Sequence, residues 1–274
     1  MAADALRQLQ YQFLWRVLGR RTLLAPAPEF GLHMRISPGD AVGRHIYKHG
    51  EHDAARTRFV LHRIPWTDGD AFLDIGAHIG WYSLALARNV PAGIRVVAFE
   101  PDTQNRELLR QNVELNGARA VTIVDRAVSD HAGTERFYRY ARKNQGRHSL
   151  LPINEGDVVE VECVTLDATL PRLGIAPARV ALAKLDIEGG ELQALRGGRS
   201  LLGAAPRLLL EYSPRLMRQA GQDPAELLDL LHGAGYTAWD IDSDRPRIIA
   251  RNELEAVADQ RDCLWCLAGA APAS

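Results

Sequence analysis

Three cysteines in 274 residues are too few, and odd in number, for a disulfide framework. They suit a reducing compartment, and the expected location is the cytoplasm. Cys263 and Cys266 form a lone C-x-x-C with no second pair to complete a zinc site. Both read as positions of a last apolar strand over 263–267. No apolar run approaches the ~18 residues of a membrane span. Gln8, Gln10, Gln12 and Arg16 interrupt the first residues, which therefore lack the layout of a secretion signal. The net charge is only −1, so no basic excess points to nucleic acid. The G-x-G-x-x-G that packs backbone N–H groups around a pyrophosphate is missing, which argues against a nicotinamide oxidoreductase.

What is present is 46% hydrophobic residues, enough for one sizeable domain. Residues 3–20 read as an amphipathic helix, with Leu6, Leu9, Phe13, Leu14, Val17 and Leu18 on one face. Its expected use is packing or homodimer formation, with membrane-surface binding as the other reading. Pro26 and Pro28 predict a linker. The expected layout is a helix and linker over 1–30, one domain over 31–268, and a short tail over 269–274. Residues 32–68 form an entry region with a strand at 32–36 and a helix at about 40–49. His45 and His49 share a face of that helix, but they read as ordinary histidines rather than metal ligands.

The chain is organised around Phe72 to Ser83. Phe72, Leu73 and Ile75 predict a buried strand, and Gly76 and Gly80 bracket a sharp turn into a helix. Asp74 would repel a phosphate and would suit a ligand with a positive amine or sulfonium. Glu100, twenty residues after Gly80, ends a second apolar strand over 95–99, where a carboxylate can accept hydrogen bonds from a ribose diol. An adenosine with a charged amino-acid tail and no phosphate fits, and S-adenosylmethionine is the candidate. Further strands are predicted at 121–124, 135–140, 158–164, 180–185, 208–210, 236–241 and 263–267. Helices separate the central ones, which implies a mostly parallel α/β sheet with helices on both faces. Residues 141–156 read as a mobile loop. The strand ends carry Asp74, Glu100, Asp125, Asp186 and Glu211, all acidic and all on the side where such sheets bind ligands.

The runs Leu73 to Ser83, Ala98 to Asp102, Lys184 to Glu191 (K-x-D-x-E-G-x-E) and Leu210-Glu211 resemble the FkbM family of S-adenosylmethionine-dependent methyltransferases. Ile46 to Glu51 and Ala127 to Asp130 resemble weaker elements of the same family. The resemblance implies a class I methyltransferase (Rossmann-like) fold, a seven-stranded sheet with its last strand antiparallel. It implies methyl transfer, usually to a hydroxyl of a sugar or secondary metabolite, with S-adenosylhomocysteine as the product. Asp74, Gly76, Ala77, His78 and Gly80 would then face the methionine end of the cofactor. Glu100 and Pro101 would lie at the ribose, and Asp125, Arg126, Ala127 and Val128 at the adenine. Asp186 and Glu188 would face the methyl. Gly146-Arg147-His148 departs from the small residues usual before Ser149-Leu150, which makes His148 a local addition.

A hydroxyl acceptor must lose its proton during the displacement, so a general base is expected. Asp186 leads the candidates, followed by His148 and Glu188. Tyr47, Arg147, His148, Glu188 and Glu211 are the expected acceptor contacts. Arg142, Lys143 and Arg147 would either recognise an anionic group or stay solvated. A divalent metal held by Asp186 and Glu188 is the less favoured route to a lowered acceptor pKa. An N-methyltransferase and a non-catalytic nucleoside-binding module are the alternatives.

Overall fold

The computed structural model describes residues 8–140, 148–152, 156–242 and 245–272. Arg142, Lys143, Arg147 and most of the expected loop lie outside these. The chain enters through helical residues 8–12, and the helix widens to a π-turn over Phe13–Val17. Leu14 of its apolar stripe packs against the core, but most of the stripe is turned away from it. Leu9, Phe13, Val17 and Leu18 are exposed, whereas Tyr11 is fully buried. The Tyr11 ring packs 5.3 Å from Tyr47 and 5.9 Å from Trp15, and its hydroxyl donates to the Pro38 carbonyl. One aromatic with a satisfied hydroxyl wins over the aliphatic side.

The expected linker is also structured. β1 (Leu23–Ala27) and β2 (Leu32–Ile36) pair antiparallel, with Pro26 opposite His33. A proline is tolerated because β1 has only one neighbour and needs no second ladder. A domain boundary at residue 30 would therefore cut a hairpin. α1 (Ala41–His49) and α2 (Ala54–Arg63) complete the entry region. From there β3 (Ala71–Ile75), α3 (Trp81–Asn89), β4 (Arg95–Phe99), α4 (Thr103–Leu115) and β5 (Val121–Val124) alternate. Two asparagines of α4 dock the hairpin. Asn112 accepts from the Arg35 N–H at 2.6 Å and donates to the Arg35 and Ile79 carbonyls at 3.1 and 2.9 Å. Asn116, one turn on, does the same with both backbone groups of His33.

β6 (Ala127–Val128), β7 (Gly133–Tyr138) and β8 (Val158–Val164) form a separate three-stranded sheet in the order β6-β8-β7. The second half adds α5 (Leu166–Arg172), β9 (Val180–Leu185), α6 (Glu191–Arg196), β10 (Arg207–Tyr212), α7 (Pro214–Gln219) and α8 (Pro224–Gly233). β11 (Tyr236–Asp240), β12 (Arg247–Ile248), α9 (Arg251–Glu255) and β13 (Arg261–Leu267) end it. The main sheet runs β12-β11-β13-β10-β9-β3-β4-β5. β5, β4, β3, β9 and β10 are parallel, and β13 lies antiparallel between β10 and β11. These are the seven expected strands, and β12 adds a two-residue edge.

Alternation along the strands builds two cores. Leu73, Val97, Ala183 and Leu208 face the layer of α5, α6 and α8. Phe72, Val96, Leu182 and Leu209 face the hairpin, α1 and α2, so the entry region is the cover of one sheet face. Cys263 joins the first core and Cys266 the second. They point to opposite faces, as positions of odd separation on a strand must, and form no pair. Burial pushes both thiols up to about 12.

Candidate active site

β3, β4 and β9 end at one crevice, where open parallel sheets receive ligands. Gly76 turns the chain out of β3 at φ +81°, and a Cβ there would sit 2.0 Å from the Asp186 carbonyl oxygen. Only glycine permits that approach. His78 is also left-handed, at φ +52°, and its N–H donates to Glu100 Oε2 at 2.8 Å. The Asp102 N–H donates to Oε1 at 2.9 Å. Glu100 thus ties the glycine turn to the start of α4, and each oxygen keeps a second lone pair. The residue is 4% exposed, and burial pushes its carboxyl up to about 8.

Asp74 is buried deeper than its expected role suggests. Its Oδ2 accepts from the Ser83 N–H at 3.0 Å and the Ser83 hydroxyl at 2.6 Å, bracing the first turn of α3. Its Oδ1 faces Lys184 Nζ at 3.6 Å, and Asp186 lies 3.1 Å from the same ammonium. Burial works against the Lys184 charge, but Asp186 and Asp74 outweigh it and hold the group above the usual lysine range.

Two cavities open here. The first is mostly apolar and opens beside the end of β4. Gly76, His78, Glu100, Pro101, Arg126, Ala127, Val128, His148 and Asp186, all singled out in the sequence, line it. Asn105, Phe137, Ser149 and Leu150 also line it and were not anticipated. The second is walled by Val42, His52, Asp53, Asp74, Ala77, Trp81, Tyr82 and Lys184. Gly76, His78 and Asp186 belong to both, so the two volumes meet there. A narrower cleft shares Asp53, Tyr82, Lys184 and Asp186 with the second cavity and reaches Arg56, Glu211 and Asp262.

The remaining candidates separate. His148 accepts from the Tyr140 N–H at Nδ1 (2.9 Å) and packs against Phe137, and burial pushes it down to about 4. A pairing of Tyr138 with Ser149 fixes it at the rim of the first cavity. Gly80 starts α3 at φ +92° and lines neither cavity. Asp125 is exposed, pairs with Arg126 and lies outside both cavities. Tyr47 is spent on seating Tyr11 and reaches neither cavity. Glu188 is buried at φ +53° and is likewise outside both linings. Glu211 is 6% exposed, and Gln260 donates to its Oε1 at 2.7 Å.

The second cavity supplies the groups that sequence reasoning missed. The Tyr82 hydroxyl donates to Asp53 Oδ2 at 2.7 Å, and Arg56 holds Asp53 at 2.8 Å and Asp262 at 2.7 Å. Burial pushes the Asp262 carboxyl up to about 7. His52 packs its ring against Trp81, and burial lowers its pKa. The one available signal was position, since His52 and Asp53 directly follow the Ile46 to Glu51 segment. Among the described residues no group of three or more His, Cys, Asp or Glu is arranged to hold a metal ion.

Comparison with known proteins follows this geometry. The methyltransferase sdnD of Sordaria araneosa is 29% identical over 155 residues, 46% of this chain and 59% of the relative. The crystal structure of a methyltransferase FkbM from Methylobacillus flagellatus KT matches 80% of this chain and 49% of its own, at TM-score 0.47 and 21% identity. A SAM-dependent O-methyltransferase from Thermotoga maritima matches 77% of this chain and 64% of its own, at TM-score 0.42 and 15% identity. The chain therefore covers less than two thirds of each of these proteins. The model of the methyltransferase FkbM domain matches residues 74–238, more than half of the chain and the stretch that builds the glycine turn, Glu100 and Asp186. The chain belongs to the FkbM methyltransferase family.

Proposed function

We propose that this chain is an S-adenosylmethionine-dependent methyltransferase acting on a hydroxyl of a small metabolite or glycosyl group, with S-adenosylhomocysteine as product. The observation that carries this reading is the junction of two cavities at Gly76, His78 and Asp186, one mostly apolar and one lined with charge. The residues fit the cofactor. Glu100 keeps acceptor capacity for a ribose diol beside the first cavity, Ala127, Val128 and Phe137 offer apolar walls for a base, and Gly76 clears space at the turn. The bound cofactor supplies a methyl group on a sulfonium, a good leaving group.

What the chain itself contributes is alignment and removal of a proton. Asp186 is the preferred base, because it borders both cavities and is half-exposed beside Lys184. His148 is the second candidate. Its depressed pKa leaves it neutral at neutral pH, but it lines the first cavity rather than the second. Glu188 is third. The acceptor would occupy the second cavity, with Tyr82 and Asp53 as polar contacts and Glu211 in the narrower cleft that adjoins it. The three cysteines are free, which suits a cytoplasmic enzyme.

Titration calorimetry of the purified protein with S-adenosylhomocysteine tests the cofactor. A binding isotherm is expected, and no heat with either the product or the methyl donor overturns the assignment. The carboxylates Asp53, Asp74 and Asp186 around the second cavity also suit an amine acceptor. An ammonium acceptor would still have to lose its proton first, whereas a nitrogen that is already neutral needs no base and would show turnover independent of pH between about 6 and 9.

A further inference from the structure

The N-terminal helix presents an apolar face that nothing among the described residues covers. Leu9, Phe13 and Val17 are 68%, 52% and 67% exposed and recur every four residues, on one side of a helix. Leu18 is 51% exposed beside them. The helix has already made its seat on the domain through the opposite side, by Tyr11 against Tyr47 and Pro38. The exposed stripe is therefore not a core face awaiting its partner elements.

The charge on this segment has one sign. No Asp or Glu occurs between residues 5 and 28, and Arg16, Arg20 and Arg21 are all exposed. A second copy on this face would use the same patch from both sides, as two-fold contacts do, and would bring both sets of arginines together. Like charges juxtaposed at an interface disfavour that arrangement. An anionic lipid surface meets both demands. Its acyl region takes the apolar side chains and its headgroups neutralise the arginines.

We propose that the N-terminal segment docks the protein on an anionic membrane surface. The segment lies in the interface rather than crossing it, and among the described residues no helix is long and apolar enough to span a bilayer. One helix, α1, separates this face from the second cavity. Its Tyr47 seats the segment and its Val42 lines the cavity.

Co-sedimentation of the full chain with two vesicle compositions tests the proposal, phosphatidylcholine alone and phosphatidylcholine mixed with phosphatidylglycerol. The protein should pellet with the anionic vesicles and stay in solution with the neutral ones, and added salt should weaken the binding. Each of Arg16→Gln, Arg20→Gln and Arg21→Gln should lower the anionic partition coefficient about fivefold. The double variant Phe13→Ser, Val17→Ser should lower it about tenfold or more. Retained binding of S-adenosylhomocysteine by each variant shows that the fold survives. Absence from both pellets, or equal binding by wild type and double variant, overturns the proposal. So does a dimer in light scattering that the double variant splits and anionic vesicles leave intact, which would identify a second copy as the occupant.

Discussion

Glu100→Gln isolates the carboxyl that joins the glycine turn to α4. In the unliganded protein both oxygens accept backbone N–H bonds, yet burial pushes the group up to about 8. Ribose hydroxyls donate to the ionised form more strongly than to the neutral one, so binding should pull this pKa down. The sign follows directly. Below about pH 8 the free protein carries a proton that binding expels, and affinity rises with pH until that proton is gone. If only the ionised form binds well, affinity at pH 6 should be about a hundredfold below its plateau, two pH units being a factor of about 100. Calorimetry with S-adenosylhomocysteine in buffers of different ionisation heat reads both the affinity and the proton released. In Glu100→Gln the pH dependence should vanish. The plateau affinity should drop about ten- to hundredfold, the worth of a charge-assisted hydrogen bond. Wild-type affinity that is flat with pH and releases no proton would refute the reasoning, because Glu100 would then not meet the ligand as a carboxyl needing ionisation.

Asp186→Asn should slow turnover by about 10²–10⁴-fold, the usual worth of a general base, while cofactor affinity changes little. Wild-type kcat in that variant removes Asp186 from the mechanism. Stability of the unliganded protein should also depend on pH. Glu100 and Glu191 are pushed up to about 8 and Asp262 to about 7, each chiefly by burial. Between the ordinary carboxyl range and those values the folded state holds protons that the unfolded chain has released, so stability falls as pH rises. The buried His52, His78 and His148 are pushed down and act oppositely, but only below the ordinary histidine value of about 6.5. From about pH 6.5 to 8 these histidines no longer oppose the carboxyls, which contribute up to about 2 kcal/mol for each glutamate. Differential scanning calorimetry should show Tm falling by several degrees over that interval, and a rising Tm would contradict the burial argument.

The parallel core was legible because each strand is a short apolar run ended by a carboxylate or glycine. β4, β5 and β9 fall on the residues that their patterns predict. The first cavity was legible for the same reason, since its floor is made by consecutive residues at strand ends. The second was not. Asp53, Tyr82 and Lys184 come from α2, α3 and β9, and no spacing in the chain announces that a hydroxyl and a carboxylate 29 positions apart will meet. β1 was hidden by prolines that an edge strand tolerates. The N-terminal stripe was legible as amphipathic, but its periodicity did not say that Tyr11 on the other side would seat the helix. Glu191 opens α6, and its Oε1 accepts from the Ile187 N–H at 3.0 Å.

The amides of Asn112 and Asn116 act as two extra rungs beside β2, and Asn112 also grips the Ile79 carbonyl inside the glycine turn. Shortening the protein to begin at its first central strand would strip both rungs of their partners. The glycine turn at the junction of the two cavities would then lose an anchor that lies some forty positions earlier in the chain than Gly76. What looks like an appendage ahead of the catalytic fold is thus a splint for it, and trimming it is expected to loosen the very turn that such a minimal version would be made to study.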